Sequence, residues 1–154
     1  MSGSTAKWNW RIPRKPDFII GGAENPYIRR WWVIPRNRFF NIYLHNMLRD
    51  DDDRALHCHP WWNISIILKG GYLEWLSHRG DPVNCVWRGR WSVVFRKATL
   101  AHRLALGHGT GPSWSLFITG PRVREWGFHC PKGWVHWKIF TDPTDSSRVG
   151  RGCE

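Results

Sequence analysis

His57-Cys58-His59-Pro60-Trp61-Trp62-Asn63-Ile64-Ser65-Ile66-Ile67-Leu68-Lys69-Gly70-Gly71 is the stretch on which the reading of this chain turns. On an extended strand residues i and i+2 project to the same side, so the imidazoles of His57 and His59 converge on one point, as a divalent transition metal requires. Cys58 between them projects the other way and packs behind the site. Trp62 to Lys69 reads as a strand of branched and aromatic residues, and Gly70-Gly71 turns it into a partner strand, Tyr72 to Leu76. A third ligand must come from elsewhere. His102, on a later strand from Ala101 to Leu106, is best placed.

Outward from this stretch the chain reads as a succession of short strands. Ten prolines and fifteen glycines leave few windows for a helix of about 11 residues. Strands are expected at Arg30–Ile34, Phe39–Leu48, Leu56–His59, Cys85–Arg88, Ser92–Phe95, Ser113–Thr119, Val123–His129 and Trp134–Phe140. Such close spacing without an internal repeat indicates an antiparallel sandwich or barrel. Residues 1–26 read as an irregular N-terminal arm, 27–140 as the single domain and 141–154 as a mobile polar tail.

Composition agrees with that class. The 154 residues suffice for one domain with a real core, and 13 Trp, 3 Tyr and 7 Phe are too much bulk for a disordered chain or a helical bundle. Lys and Arg total 23 against 12 acidic residues, a net charge of +11. That balance excludes an acidic tail or a calcium-collecting protein and leaves anionic partners open. Cys58, Cys85, Cys130 and Cys153 show no regular spacing, so reduced thiols are the default. No signal-peptide core and no apolar run of about 20 residues is evident, which reads as a soluble, cytoplasmic protein without a membrane partner.

The histidine stretch also resembles the first motif of the cupin superfamily. His57 and His59 are followed after three residues by Asn63, where that motif has a glutamate, and after six more by Gly70. His102 stands where the second motif places its histidine, although Lys97-Ala98-Thr99 replaces the usual Pro-x-Gly before it. The resemblance covers roughly residues 39–140. It implies an all-β double-stranded β-helix, the cupin jelly-roll barrel, with a metal held inside by His57, His59 and His102. The closing stretch from Gly120 to Trp134 and the aspartate-rich turn Asp50 to Asp53 resemble small cupins of bacterial and phage genomes. The three-histidine set is more distantly similar to that of the thiol dioxygenases, whose polar residues on the strand after the ligand histidine appear here as Phe117 and Thr119.

Three neutral imidazoles leave a divalent ion its full charge, which favours an anionic ligand. Iron(II) is the favoured metal, with zinc, nickel or manganese as alternatives. The leading expectation is therefore a metal-dependent oxygenase acting on a small anionic molecule. Arg103, Arg124 and Glu125 are the candidates for charge compensation and catalysis; Asn63, Glu74, Phe117 and Thr119 are candidates to touch substrate or orient a ligand. The competing reading is a non-catalytic binding module that docks on an acidic partner or on nucleic acid. Phosphate contacts with stacking on exposed tryptophans fit the charge, but it is spread along the chain and no nucleic-acid motif accompanies it. A third reading is a cupin isomerase using Tyr43 or Tyr72 in acid/base chemistry. A homodimer through an edge sheet is compatible with the fold. Asp50 to Asp53 lack calcium-loop spacing and are expected to be solvated beside Arg49 and Arg54. His45, His78 and His108 are expected in solvent near turns, and His129 and His136 in the core.

Overall fold

The computed structural model describes residues 12–51, 55–77, 84–107 and 109–154. The described strands are β1 (Phe18–Ile20), β2 (Ile28–Trp32), β3 (Asn41–Met47), β4 (Leu56–His57), β5 (Asn63–Lys69), β6 (Gly71–Ser77), β7 (Asn84–Gly89), β8 (Val93–Arg96), β9 (Ala101–Ala105), β10 (Ser113–Thr119), β11 (Gly127–Cys130) and β12 (Gly133–His136); one short helix, α1 (Trp137–Phe140), follows. They form two six-stranded antiparallel sheets, ordered β1-β2-β3-β10-β5-β8 and β12-β11-β4-β9-β6-β7. From β3 to β10 the chain changes sheet at every connection except the β6–β7 hairpin, which sets β3-β10-β5-β8 against β4-β9-β6-β7. That is the jelly-roll arrangement. β1 and β2 widen the first sheet, and β11 and β12 widen the second.

Strand β5 shows why the sequence takes this form. Its burial alternates with period two, with Asn63, Ser65 and Ile67 facing in and Ile64, Ile66 and Leu68 partly covered on the other side. The glycine that ends it is obligatory. Gly70 has φ +70°, and a Cβ there would lie 2.8 Å from the Pro112 carbonyl oxygen. Between the sheets, Tyr27, Ile28, Met47, Ile67 and Tyr72 form a buried cluster with Ile20, Leu104 and Leu106 packed against it. Burying such side chains is the main favourable contribution to folding.

Three expectations about the chain's ends and thiols change. The N-terminal arm is not wholly irregular, because β1 pairs with β2 in register Phe18↔Arg30. The tail is folded onto the barrel rather than loose: Gly150 N and Gly152 N donate to Phe140 O at 3.0 and 3.1 Å, and Gly21 N donates to Ser147 O at 2.9 Å. Cys130 and Cys153 form a disulfide that fastens this tail to β11, while Cys58 and Cys85 stay free. A separation of 23 residues with no motif gives no local cue for that pairing. The expected strand Trp134–Phe140 stops at His136, whose Nδ1 accepts from Lys138 N at 3.2 Å and caps α1. Among the described residues no helix is long and apolar enough to cross a membrane.

Candidate metal centre

The two strands that carry the histidines are neighbours. β4 pairs with β9 in register His57↔His102. At His59 the chain leaves the ladder toward Pro60, so the expected strand Leu56–His59 ends at His57; His59 N still donates to Ala98 O at 3.1 Å. Cys58 points away from the site, its thiol 3.5 Å from Gly127 O and its surface only 1% exposed. The three side chains meet: one ligand nitrogen from each of His57, His59 and His102 lies within 4.8 Å of the others. His59 Nε2 and His102 Nε2 are 2.9 Å apart. Two imidazoles that share one ion, each at about 2.0–2.1 Å, hold their nitrogens at roughly this separation. The donor set therefore fits a divalent transition metal, and among the described residues the buried His57 Nδ1 has no hydrogen-bond partner.

The electrostatics suit the same role. Burial pushes the pKa of His57 and of His59 well below the ordinary histidine value; repulsion from His102 and the Arg96 charge adds to this for both, and His57 and Arg30 add to it for His59. His102 is lowered by burial too, partly opposed by its hydrogen bond to Glu74. All three are neutral at pH 7, the form that ligates metal.

Behind His102 lies a buried polar network. Its Nδ1 donates to Glu74 Oε1 at 2.8 Å, which leaves Nε2 with its lone pair facing the other two rings. Glu74 also accepts from Arg96 Nε, and from Arg88 Nε at 2.8 Å. Arg96, 1% exposed, continues to Ser65 Oγ at 2.8 Å, Tyr72 Oη at 3.1 Å and Asn63 Oδ1 at 3.2 Å. Burial alone would raise the Glu74 pKa, but the hydrogen bonds from His102 and Arg96 and the charge of Arg96 outweigh it and hold the carboxyl well below the usual range. Glu74 thus both turns toward the histidines and pairs with arginine. Asn63, at the motif's glutamate position, holds Arg96 instead.

A cavity of about 390 Å³ opens in front of the histidines. Trp61 stacks on His59 with ring centres 4.8 Å apart, and Phe117 lies edge-on to Trp61 at 5.6 Å. Asp51 also lines the cavity, its Oδ2 3.5 Å from His57 Nδ1, so the aspartate turn is not merely solvated. Asp52, Asp53, Arg54, His78 and His108 lie outside the described residues.

Several expected site residues lie elsewhere. The strand expected at Val123–His129 begins only at Gly127, so alternation does not govern Arg124 and Glu125. Glu125 is exposed and paired with Arg122 at 2.6 Å and His136 at 2.7 Å, which also takes His136 out of the core. Arg124 Nη1 donates to Ala98 O at 3.1 Å and supports the His59 segment from outside the cavity. Arg103 packs over the Trp75 ring at 5.1 Å and is not among the residues that line the cavity. Thr119 is fully buried beside Asn63 and does not line the cavity, whereas Phe117 does. His129 is exposed. His45 and Arg30 were missed. His45 is buried on β3 and accepts from Arg30 Nε at 2.8 Å, and both line the cavity. The sequence signal for them is only their facing positions on two paired strands.

No family model and no curated protein sequence matches the chain. Solved structures do. The iron(II) form of HppE aligns at TM-score 0.54 with 16% identity, covering 71% of this chain and 60% of that one. Hydroxypropylphosphonic acid epoxidase from S. wedmorenis aligns at TM-score 0.53 with 16% identity over 71% and 59%. A variant of Streptomyces PAC13 with uridine aligns at TM-score 0.51 with 8% identity over 66% and 78%. The chain thus spans about 60% of the length of the first of these. At such identities the likeness establishes the fold alone, a jelly roll of two antiparallel sheets.

Proposed function

We propose that this chain is a metal-dependent cupin enzyme, a non-haem iron(II)-type oxygenase acting on a small anionic molecule. One observation carries the reading: three neutral imidazoles from adjoining segments converge within 4.8 Å at the wall of a cavity. The iron(II) named for HppE supports iron as the metal. When bound, such an ion supplies Lewis acidity and one-electron redox chemistry at positions the protein leaves open. The chain's own residues do the rest. His57, His59 and His102 hold the ion, and Glu74 fixes the tautomer and direction of His102 through Nδ1. Trp61 stacks on His59 and Phe117 lies at 6.2 Å from its ring, so both line the site with apolar surface.

Elemental analysis of untagged protein is expected to find about one divalent transition ion per chain, iron above the others, and His59→Ala to lose it. Unchanged metal content in His59→Ala would sink the reading. Metal-free protein that binds nucleic acid in a salt-sensitive way regardless of the histidines would replace it with the binding module.

A further inference from the structure

Three arginines among the described residues line the cavity: Arg30, Arg96 and Arg148. Two are already matched by carboxylates, Arg96 by Glu74 and Arg148 by Glu24 and Asp145. Arg30 is different. Its Nε donates to His45 Nε2 at 2.8 Å and its Cζ lies 4.7 Å from the centre of the Tyr43 ring. Neither contact supplies a negative charge, and among the described residues neither terminal nitrogen has a protein acceptor. Burial lowers the Arg30 pKa to about 10, so the group is still charged at neutral pH. A cation half-withdrawn from water without a counter-charge is disfavoured, and an arriving anion offsets that cost.

The neighbours of Arg30 prepare it for that anion. His45 is kept neutral by burial and by the Arg30 charge, so its Nε2 lone pair is available to hold Arg30 Nε. The Tyr43 face and that hydrogen bond orient the guanidinium, leaving the paired Nη edge, which matches the two oxygens of a carboxylate. The surrounding wall is mostly apolar, with Ile28, Met47, Trp61, Phe117 and Phe128, and its carboxylate Asp51 lies beside His57. Among the described side chains that line the cavity Arg30 is the one unmatched cation, so the chain itself balances one negative charge on a ligand. A second charge on the ligand would have to sit at the metal site, because the wall around Arg30 offers no second cation.

We propose that Arg30 anchors a monocarboxylate with an apolar, ring-sized body, bound in the cavity that His57, His59 and His102 share. The proposal rests on the metal-enzyme reading for what becomes of the ligand, but not for its capture. Calorimetric titration of the full chain with benzoate and phenylacetate, against their neutral amides, tests it directly. At least one acid is expected to bind, with its amide weaker by about tenfold or more. Arg30→Met should weaken the acid by a similar factor with its metal content unchanged, and Arg30→Lys should retain part of the affinity. Acid and amide binding alike, no acid binding at all, or Arg30→Met binding the acid as the parent does would each overturn the proposal. Should Arg30→Met fail to fold, the acid–amide comparison on the parent protein and the Arg30→Lys titration still decide. Metal content of the same samples separates the two claims: metal-free protein that binds benzoate through Arg30 defeats the iron reading alone, and metal-loaded protein indifferent to Arg30 defeats this one alone.

Discussion

Glu74 is the residue on which the site's order depends. It sits fully buried between three partners, and two of them are arginines. A buried ion pair of this kind adds little against an apolar replacement, but removing one member leaves the other charge stranded. Glu74→Gln keeps the shape and removes the charge, so it should cost about 3–5 kcal/mol in chemical denaturation. Converting Arg96 to Met in the same chain should return part of that loss. Metal affinity should fall about 10–100-fold in Glu74→Gln, because His102 loses the carboxylate that fixes its Nδ1 proton. A Glu74→Gln protein as stable as the parent, with its metal affinity intact, would show that the network neither supports the fold nor orients His102.

At the scale of elements, the sequence was legible wherever a period or a turn carried the information. His57, His59 and His102 could be placed because strand alternation and the later strand are local properties, and the register His57↔His102 joins them. Gly70 was legible for the same reason, as the turn between β5 and β6. The alternation rule misled at Arg124 and Glu125, because it holds only inside a strand and β11 starts at Gly127. There a Cβ would meet the Val135 carbonyl oxygen at 2.1 Å, so the close approach of β12 sets the strand, not the preceding apolar pattern. Arg30 and His45 were illegible. Arg29-Arg30 offers two arginines to two faces, and only the pairing Arg30↔His45 decides which one lies in the cavity. The turn at Gly70 yields the prediction that belongs to this scale. Gly70→Ala must hold a Cβ at φ +70° and against Pro112 O, so it should lose about 1–2 kcal/mol or more in urea unfolding. A neutral Gly70→Ala would mean that the turn relaxes freely and does not fix β5 against β6.

Considered as a whole, the molecule buries histidines that it must keep neutral, and this fixes how its stability responds to acid. His45, His57, His59 and His102 all have pKa values lowered by burial in the folded state. Each is free to take a proton near pH 6.5 once the chain unfolds. Between those limits the unfolded state binds more protons than the folded one, so stability present above about pH 6.5 is lost as pH falls through the folded values. The carboxylates act in a lower window. Glu74, Asp17, Asp142 and Asp145 are held below their ordinary values, so their contribution disappears only under stronger acid. The metal-free protein should therefore lose stability to acid in two overlapping stages of its urea midpoint: a first decline that begins as pH falls below about 6.5, and a second added to it below about pH 4. A bound divalent ion competes with protons for the three convergent imidazoles, so metal should flatten the first decline and leave the second. His45→Gln, which removes a buried titrating ring outside the trio, should flatten it partly even without metal. A urea midpoint constant from pH 7 to pH 5 in the metal-free protein would mean that these rings are open to water in solution. The convergent geometry would then lack the dry surroundings that make three neutral histidines a strong ligand set.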